Sequence, residues 1–454
     1  MLILQPLLAD LISTITIGLG FQRVYYSRNN PSTNPVYLLQ YLIFTTLSFS
    51  VYLLCETLGL PVYVILSVGV ISLVFRRLYT TRKTSYLNNR RLAFLLLFTA
   101  FTSSWVESAT ILGPASVFVG LSLTNFEVTL SNLVLTFASV TASPWFMINM
   151  GIWLGVLGIF RILELRSREN VLRFALMMLS YTFYSIWLPT FSPISGEVQY
   201  IPYMWFNGIG TYGPVEPSYL LTGIIGTYAV TAVLSFLFGG RQICSVTCAA
   251  PYMLQGTFMD SMKKYNRSSK LGRKTLTSKI KRWYKVVMLL TWLSLISFSA
   301  LSFLNYEKVI SFSILGQDPT MLYVTLYFNL IWYVQFILMP FLGNYSCVNT
   351  GICAWGSFNQ VMGYLGFFKL RVKDPNKCLN CKTVDCALAC PVGLTDMRSS
   401  FIKRGEFKSL RCVGSGDCVE ECPHHNIEFY DIRSYLRERI SYRRGVKGDL
   451  HSGV

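Results

Sequence analysis

A series of long apolar runs, separated by loops whose basic charge alternates, constrains this chain more than any other feature. Against roughly twenty residues per membrane crossing, about nine runs qualify. They are Leu2 to Phe21, Val36 to Cys55, Leu60 to Phe75, Leu92 to Leu112, Trp145 to Phe160, Leu172 to Phe191, Tyr219 to Phe238, Val286 to Leu304 and Met321 to Leu342. Lys and Arg crowd the loops at 76–91, 161–173 and 241–285, whereas those at Glu56, 113–143, 192–217 and 305–320 are nearly free of them. With 52% hydrophobic and 14% charged residues, a set of soluble domains is excluded. The net charge of +18 sits in short loops, so it reads as the positive-inside pattern and not as a nucleic-acid surface. The expectation is a mainly α, polytopic protein of the cell (plasma) membrane, with its N-terminus outside and its C-terminus cytoplasmic. Met1 leads straight into an apolar run, so no removed signal peptide is expected. His424, His425 and His451 all lie beyond the last run, which leaves no axial ligand for a membrane haem b.

Within 113–143 the stretch VFVGLSLTNFEVTLSNLVLTF alternates at period two and predicts an outside hairpin of strands, or a short re-entrant segment. The loop at 192–217, rich in Gly, Pro and aromatics, reads either as an aromatic anchor or as the cover of a quinone or partner site. Asp10 and Glu107 fall inside apolar runs, where an ionisable group is either functional or paired near the interface.

The last third carries CLNCKTVDCALACP, from Cys378 to Pro391, and CVGSGDCVEECP, from Cys412 to Pro423. Three thiolates from one tight loop can grip three irons of a cubane, and a fourth Cys before Pro reaches the other cluster of a two-cluster fold. By that rule Cys378, Cys381, Cys386 and Cys422 form a complete set for one [4Fe-4S] cluster. The second set is Cys390, Cys412 and Cys418, with Ser415 where a standard run has a cysteine. That site is expected to hold a [3Fe-4S] cluster or a serine-ligated [4Fe-4S] cluster, or to be empty. Structural zinc closes with other spacings, and disulfides do not suit a reducing compartment.

Two further pairs follow apolar runs: Cys244 with Cys248 in GGRQICSVTCAAP, and Cys347 with Cys353 in GNYSCVNTGICAWG. On a helix, C-x3-C places both sulfurs on one face. Four thiols on one side of the membrane predict an additional metal or cluster, a dithiol relay, or simply packed reduced cysteines.

Two cysteine pairs behind membrane helices, followed by a two-cluster ferredoxin block, resemble the membrane polyferredoxins, the family of NapH-type, NosR and CcoG proteins. The resemblance runs from about Leu172 to Tyr430, although the pairs lack that family's C-x3-C-P form. It implies electron passage between quinol or a membrane flavin and clusters that serve a partner redox enzyme.

The expected organisation is N-terminal transmembrane helices (1–171), a NapH/NosR-like four-helix core with the cysteine pairs (172–370), a small α+β ferredoxin domain (371–430) and a basic tail (431–454). The expected function is electron transfer between cytoplasmic-face iron–sulfur clusters and a quinone pool or partner membrane enzyme, as a subunit without its own catalytic constellation. The alternative is an accessory factor supplying electrons for metal-centre assembly in another membrane enzyme. Partners are expected to be the membrane, other subunits of a redox complex or a soluble donor. The tail Arg437 to Lys447 is read as a lipid or acidic-partner contact, with no nucleic acid.

Overall fold

The computed structural model describes residues 101, 105, 108, 112, 126–148, 150–151, 162, 165–209, 213–248, 283–314, 316–327, 333–342 and 345–451. The three N-terminal runs and most of the basic loop 249–282 lie outside these residues, as do Asp10, Cys55 and Glu107.

Three described helices are long and apolar enough to cross a membrane, and they coincide with expected runs: α2 (Arg168–Phe191), α3 (Tyr219–Phe238) and α4 (Tyr284–Tyr306). Nine crossings are not seen among the described residues. The run at 321–342 falls on short helices, Pro319–Val324, Tyr333–Ile337 and Met339–Leu342, with undescribed residues between them.

The predicted hairpin needs correction. Phe126–Ala142 is a helix, α1. The period-two alternation dominates only the earlier part of that stretch. From Phe126 onward the apolar residues Leu130, Leu133, Phe137 and Val140 also recur at helical spacing, and that period prevails.

α2 begins at Ser167, whose own side chain makes no cap. The carboxylate of Glu420 replaces it, accepting from the backbone N–H groups of Arg166 (2.6 Å) and Ser167 (3.1 Å) and from Asn170 Nδ2 (3.1 Å). An anion there satisfies orphan donors and complements the helix dipole. α3 stops at Gly239, in the left-handed region at φ +76°, where a Cβ would strike Phe368.

The loop between α2 and α3 does not stay at the helix ends. Its 195–209 segment folds back beside α3: Tyr203 N–H donates to Thr227 Oγ1 (2.8 Å), and Tyr228 OH donates to the Gly208 carbonyl (2.7 Å). Irregular backbone buried within protein needs internal partners. Asn207, fully buried, provides them by donating to the carbonyls of Gln199 (3.0 Å) and Ile201 (3.1 Å) while Tyr219 OH donates to its Oδ1 (2.8 Å).

Helix α5 (Ala354–Leu365) packs closely on α3. A Cβ on Gly363 would come within 2.7 Å of Gly240 N, so only glycine permits this approach. Trp355 Nε1 donates to Thr231 Oγ1 (2.8 Å) across the seam.

The chain then enters a three-stranded antiparallel sheet, ordered β2-β1-β3, made of β1 (Lys369–Val372), β2 (Glu406–Phe407) and β3 (Ile427–Tyr430). Leu370 opposes Phe407 on one side and Phe429 on the other. Short helices α6 (Pro375–Asn380), α7 (Asp385–Leu388), α8 (Met397–Arg404) and α9 (Asp417–Glu420) carry the cysteine runs, and α10 (Ile432–His451) forms the tail. One buried apolar cluster joins this unit to the apolar helices, containing Cys244, Val348 and Trp355 together with Leu370, Cys390, Phe401 and Cys418.

Candidate metal centres

The cysteines converge in three groups. Cys378 and Cys386 each stand within electrostatic reach of Cys381 and Cys422, and of each other. Cys390, Cys412 and Cys418 form a second group, with the buried Asp417 beside Cys390 and Cys418. Cys422 stands near the first run and Cys390 near the second.

Two equivalent contacts repeat in the two halves. Four residues after each Cys-Pro cysteine, a backbone N–H donates to its sulfur: Leu394 to Cys390 Sγ and Asn426 to Cys422 Sγ, both at 3.4 Å. Asn426, 1% exposed, also donates from Nδ2 to Cys378 Sγ (3.3 Å) and to the Asp374 carbonyl (2.7 Å), and its Oδ1 accepts from Asp374 N–H (3.0 Å). Sequence reasoning missed Asn426, although its place four residues past Cys422 is a usable signal.

Burial pushes the thiol of Cys386 up to about 11 and that of Cys390 up to about 12. Burial likewise raises Cys378, Cys412 and Cys418. Thiols so placed ionise when a cation replaces the proton, which is the behaviour of ligands.

Spacing tests the kind of group they would hold. A tetrahedral zinc with bonds of about 2.3 Å draws its sulfurs to about 3.8 Å from one another. Among the described residues no three His, Cys, Asp or Glu side chains are arranged to hold a single ion. The feature that suits a polynuclear cluster is the pair of Cys-Pro endings, one closing each run.

The second group lines a narrow space of about 20 Å³ together with Ser415, Val413, Met397 and Phe429. Ser415 is buried, at 6% exposure. Gly414 (φ +62°) and Gly416 (φ +84°) flank it in backbone conformations that side chains rarely adopt. A Cβ on Gly414 would meet Arg241 at 2.7 Å, so the loop is pressed on the segment that follows α3. There Arg241 stacks its guanidinium 4.0 Å from the Phe429 ring centre and pairs with Glu169 at 3.1 Å. Ser245 Oγ donates to the Val413 carbonyl (2.7 Å).

The third group is Cys244, Cys248, Cys347 and Cys353. Cys244 lies within electrostatic reach of the other three, and Cys347 of Cys248 and Cys353. The first pair does not sit on an α-helix, the geometry that C-x3-C suggested. Ile243–Thr247 is a π turn, and Cys248 follows it in extended backbone at φ −70°, ψ 132°. Cys353 caps α5, its sulfur accepting from Gly356 N–H at 3.2 Å. Tyr203, Tyr228, Tyr284 and Tyr327 surround the group. All eleven described cysteines are free thiols.

Residues 377–426 match the family model of the 4Fe-4S dicluster domain. A stretch of 71 residues is 28% identical to "Putative oxidoreductase UacF" of Escherichia coli (strain K12), covering 16% of this chain and 11% of that protein. The chain therefore spans about a tenth of that relative's length. No solved structure matches the chain. The C-terminal part is an iron–sulfur domain of the dicluster type with at least one [4Fe-4S] cluster, in a chain whose apolar helices are compatible with a membrane protein.

Proposed function

We propose that this chain is a membrane-bound electron-transfer protein. Cys378, Cys381, Cys386 and Cys422 would hold a [4Fe-4S] cluster, and Cys390, Cys412 and Cys418, with Ser415 lining the same space, would hold a [3Fe-4S] cluster. When bound, such clusters supply one-electron redox chemistry, and the protein supplies placement and tuning. Asn426 and the Leu394 amide donate to ligand sulfurs, and the apolar wall of Leu370, Met397 and Phe429 keeps water from the second site.

The observation that carries this reading is the contact between ligand loop and membrane helices. Val413 follows Cys412, Ser245 follows Cys244, and one 2.7 Å hydrogen bond joins them. Clusters seated there exchange electrons with a soluble donor or neighbouring subunit at the cytoplasmic face, and the helical part connects them to a quinone pool or a partner membrane enzyme. The cytoplasmic side follows from the basic loops. The start of α2 and the end of α3 both meet the C-terminal unit, whereas the Lys/Arg-poor segments contact one another at the opposite end, where Thr320 Oγ1 donates to the Gly213 carbonyl (2.8 Å).

The test is anaerobic purification in detergent, followed by reduction with quinol or dithionite and low-temperature EPR. Two cluster signals that respond to quinol or to a co-purified redox enzyme on the turnover timescale are expected. Iron-free protein sinks the proposal. Iron-loaded protein that is absent from every mature redox complex moves the role to that of an accessory factor in metal-centre assembly.

A further inference from the structure

We propose that Cys244, Cys248, Cys347 and Cys353 form the four-thiolate cradle of a third iron–sulfur cluster at the membrane face, in electron exchange with the site of Cys390, Cys412 and Cys418. The exchange rests on the function proposed above; the binding does not.

Four observations converge. The pairs come from segments a hundred residues apart, yet α3 and α5 bring all four sulfurs to one place. A Cβ built on Gly356 would lie 3.2 Å from Cys353 Sγ and 3.7 Å from Cys244 Sγ, so these sulfurs are less than about 7 Å apart, one on each side of Gly356.

Donors to sulfur are also in place. Asn359, fully buried, donates to Cys244 Sγ (3.4 Å) and to the Gly240 carbonyl (3.0 Å), while its Oδ1 accepts from Ser235 Oγ (2.7 Å) and Gln242 Nε2 (2.9 Å). Its orientation is fixed by that network. Gly356 N–H serves Cys353 from the positive end of a twelve-residue helix, where an anionic sulfur is favoured.

Two further donors lack an acceptor. Gln360 Nε2 and Arg411 Nη1 are buried without a hydrogen-bond partner among the described residues. Both belong to the surroundings of Tyr284, whose hydroxyl donates to Gln360 Oε1 (2.8 Å) and which lies within electrostatic reach of Arg411, Cys244 and Cys353. Bridging sulfides and thiolates of an anionic cluster are the acceptors that such donors require. Arg411 also precedes Cys412, so one cation serves the space between two centres.

The path between the sites is short: Cys244 to Ser245, across the 2.7 Å hydrogen bond to Val413, and on to Cys412. One electron passes at a time. As one centre is oxidised its neighbour is reduced, and no bond or proton changes place.

The experiment compares full-length wild type with Cys244→Ser/Cys353→Ser, both purified anaerobically, by iron, sulfide and zinc counts and by reductive EPR titration. The ferredoxin-type sites account for about seven or eight irons. The wild type is expected to contain about two to four more, and the variant to lose that increment and one reduction step while keeping the signals of the other centres. The wild-type count decides the matter even if the variant does not fold. A count of eight or fewer, about one zinc per chain, a Cys244–Cys353 disulfide in the anaerobic protein, or a folded variant with undiminished iron overturns the proposal. Loss of all iron from wild type sinks the function proposed above as well, whereas ferredoxin iron without the increment sinks only this site.

Discussion

Replacing Asn426 by Ala separates the electrostatic from the structural contributions of one side chain. The substitution removes the Nδ2 donor 3.3 Å from Cys378 Sγ but leaves the backbone N–H that serves Cys422. Reduction adds one negative charge to the cluster, so a donor to ligand sulfur stabilises the reduced form more. A hydrogen bond to a charged group is worth about 1.5–3 kcal/mol, and about a third of that differing between oxidation states gives about 0.5–1 kcal/mol. At 59 mV per tenfold change in a one-electron equilibrium, the midpoint falls by about 20–45 mV. The same change orphans the N–H and carbonyl of Asp374, bonded at 3.0 and 2.7 Å, at about 1–3 kcal/mol of stability each. The assay is an EPR-monitored redox titration of the full chain, with a thermal melt alongside. A midpoint that rises, or that moves by less than about 10 mV, refutes the reasoning. So does a shift confined to the signal that Cys412→Ser abolishes.

Other outcomes follow from the same contacts. Ser415→Cys is expected to add about one iron per chain and to convert an oxidised [3Fe-4S] EPR signal into one seen only on reduction; unchanged iron would mean that position 415 is no ligand position. Glu420→Ala strips the acceptor from the start of α2 and is expected to cost about 1–3 kcal/mol, read as a lower melting temperature and faster proteolytic release of the C-terminal unit. Hydrogen bonds from Tyr430 and Arg371 lower the pKa of Glu438. Because a depressed folded pKa contributes stability above the unfolded value of about 4.3, that contribution is lost as pH falls through the folded value, and α10 is expected to loosen only on acidification below the ordinary glutamate range. The half-exposed pair limits the effect to under about 1 kcal/mol, and hydrogen exchange of α10 between pH 7 and pH 3 measures it.

What the sequence discloses here divides by range. Cys-Pro endings and apolar runs are local, so the cysteine block and the runs around Leu172, Tyr219 and Val286 could be read directly. The helix at Phe126–Ala142 was misjudged because the alternation before it ran into a segment that satisfies both periods. The return of Tyr203 and Asn207 alongside α3 depends on hydrogen bonds to residues 12 to 24 positions away, which no window shows. Asn359 and Gln360 carry no local signal that sets them apart in the sequence. Their position beside the thiols arises from α3 packing on α5, and the sole local hint was the glycines Gly239, Gly240, Gly356 and Gly363. The π turn at Ile243–Thr247 also escaped, since C-x3-C suits an α-helix equally well.

The continuous apolar interior running from Trp355 to Phe401 has a kinetic corollary. A redox head hinged on a linker must swing between donor and acceptor, and its turnover slows as the solvent thickens. Here the head and the bundle are sealed by shared side chains, so internal charge hopping should be indifferent to glycerol or sucrose, and only encounters with outside partners should feel the drag.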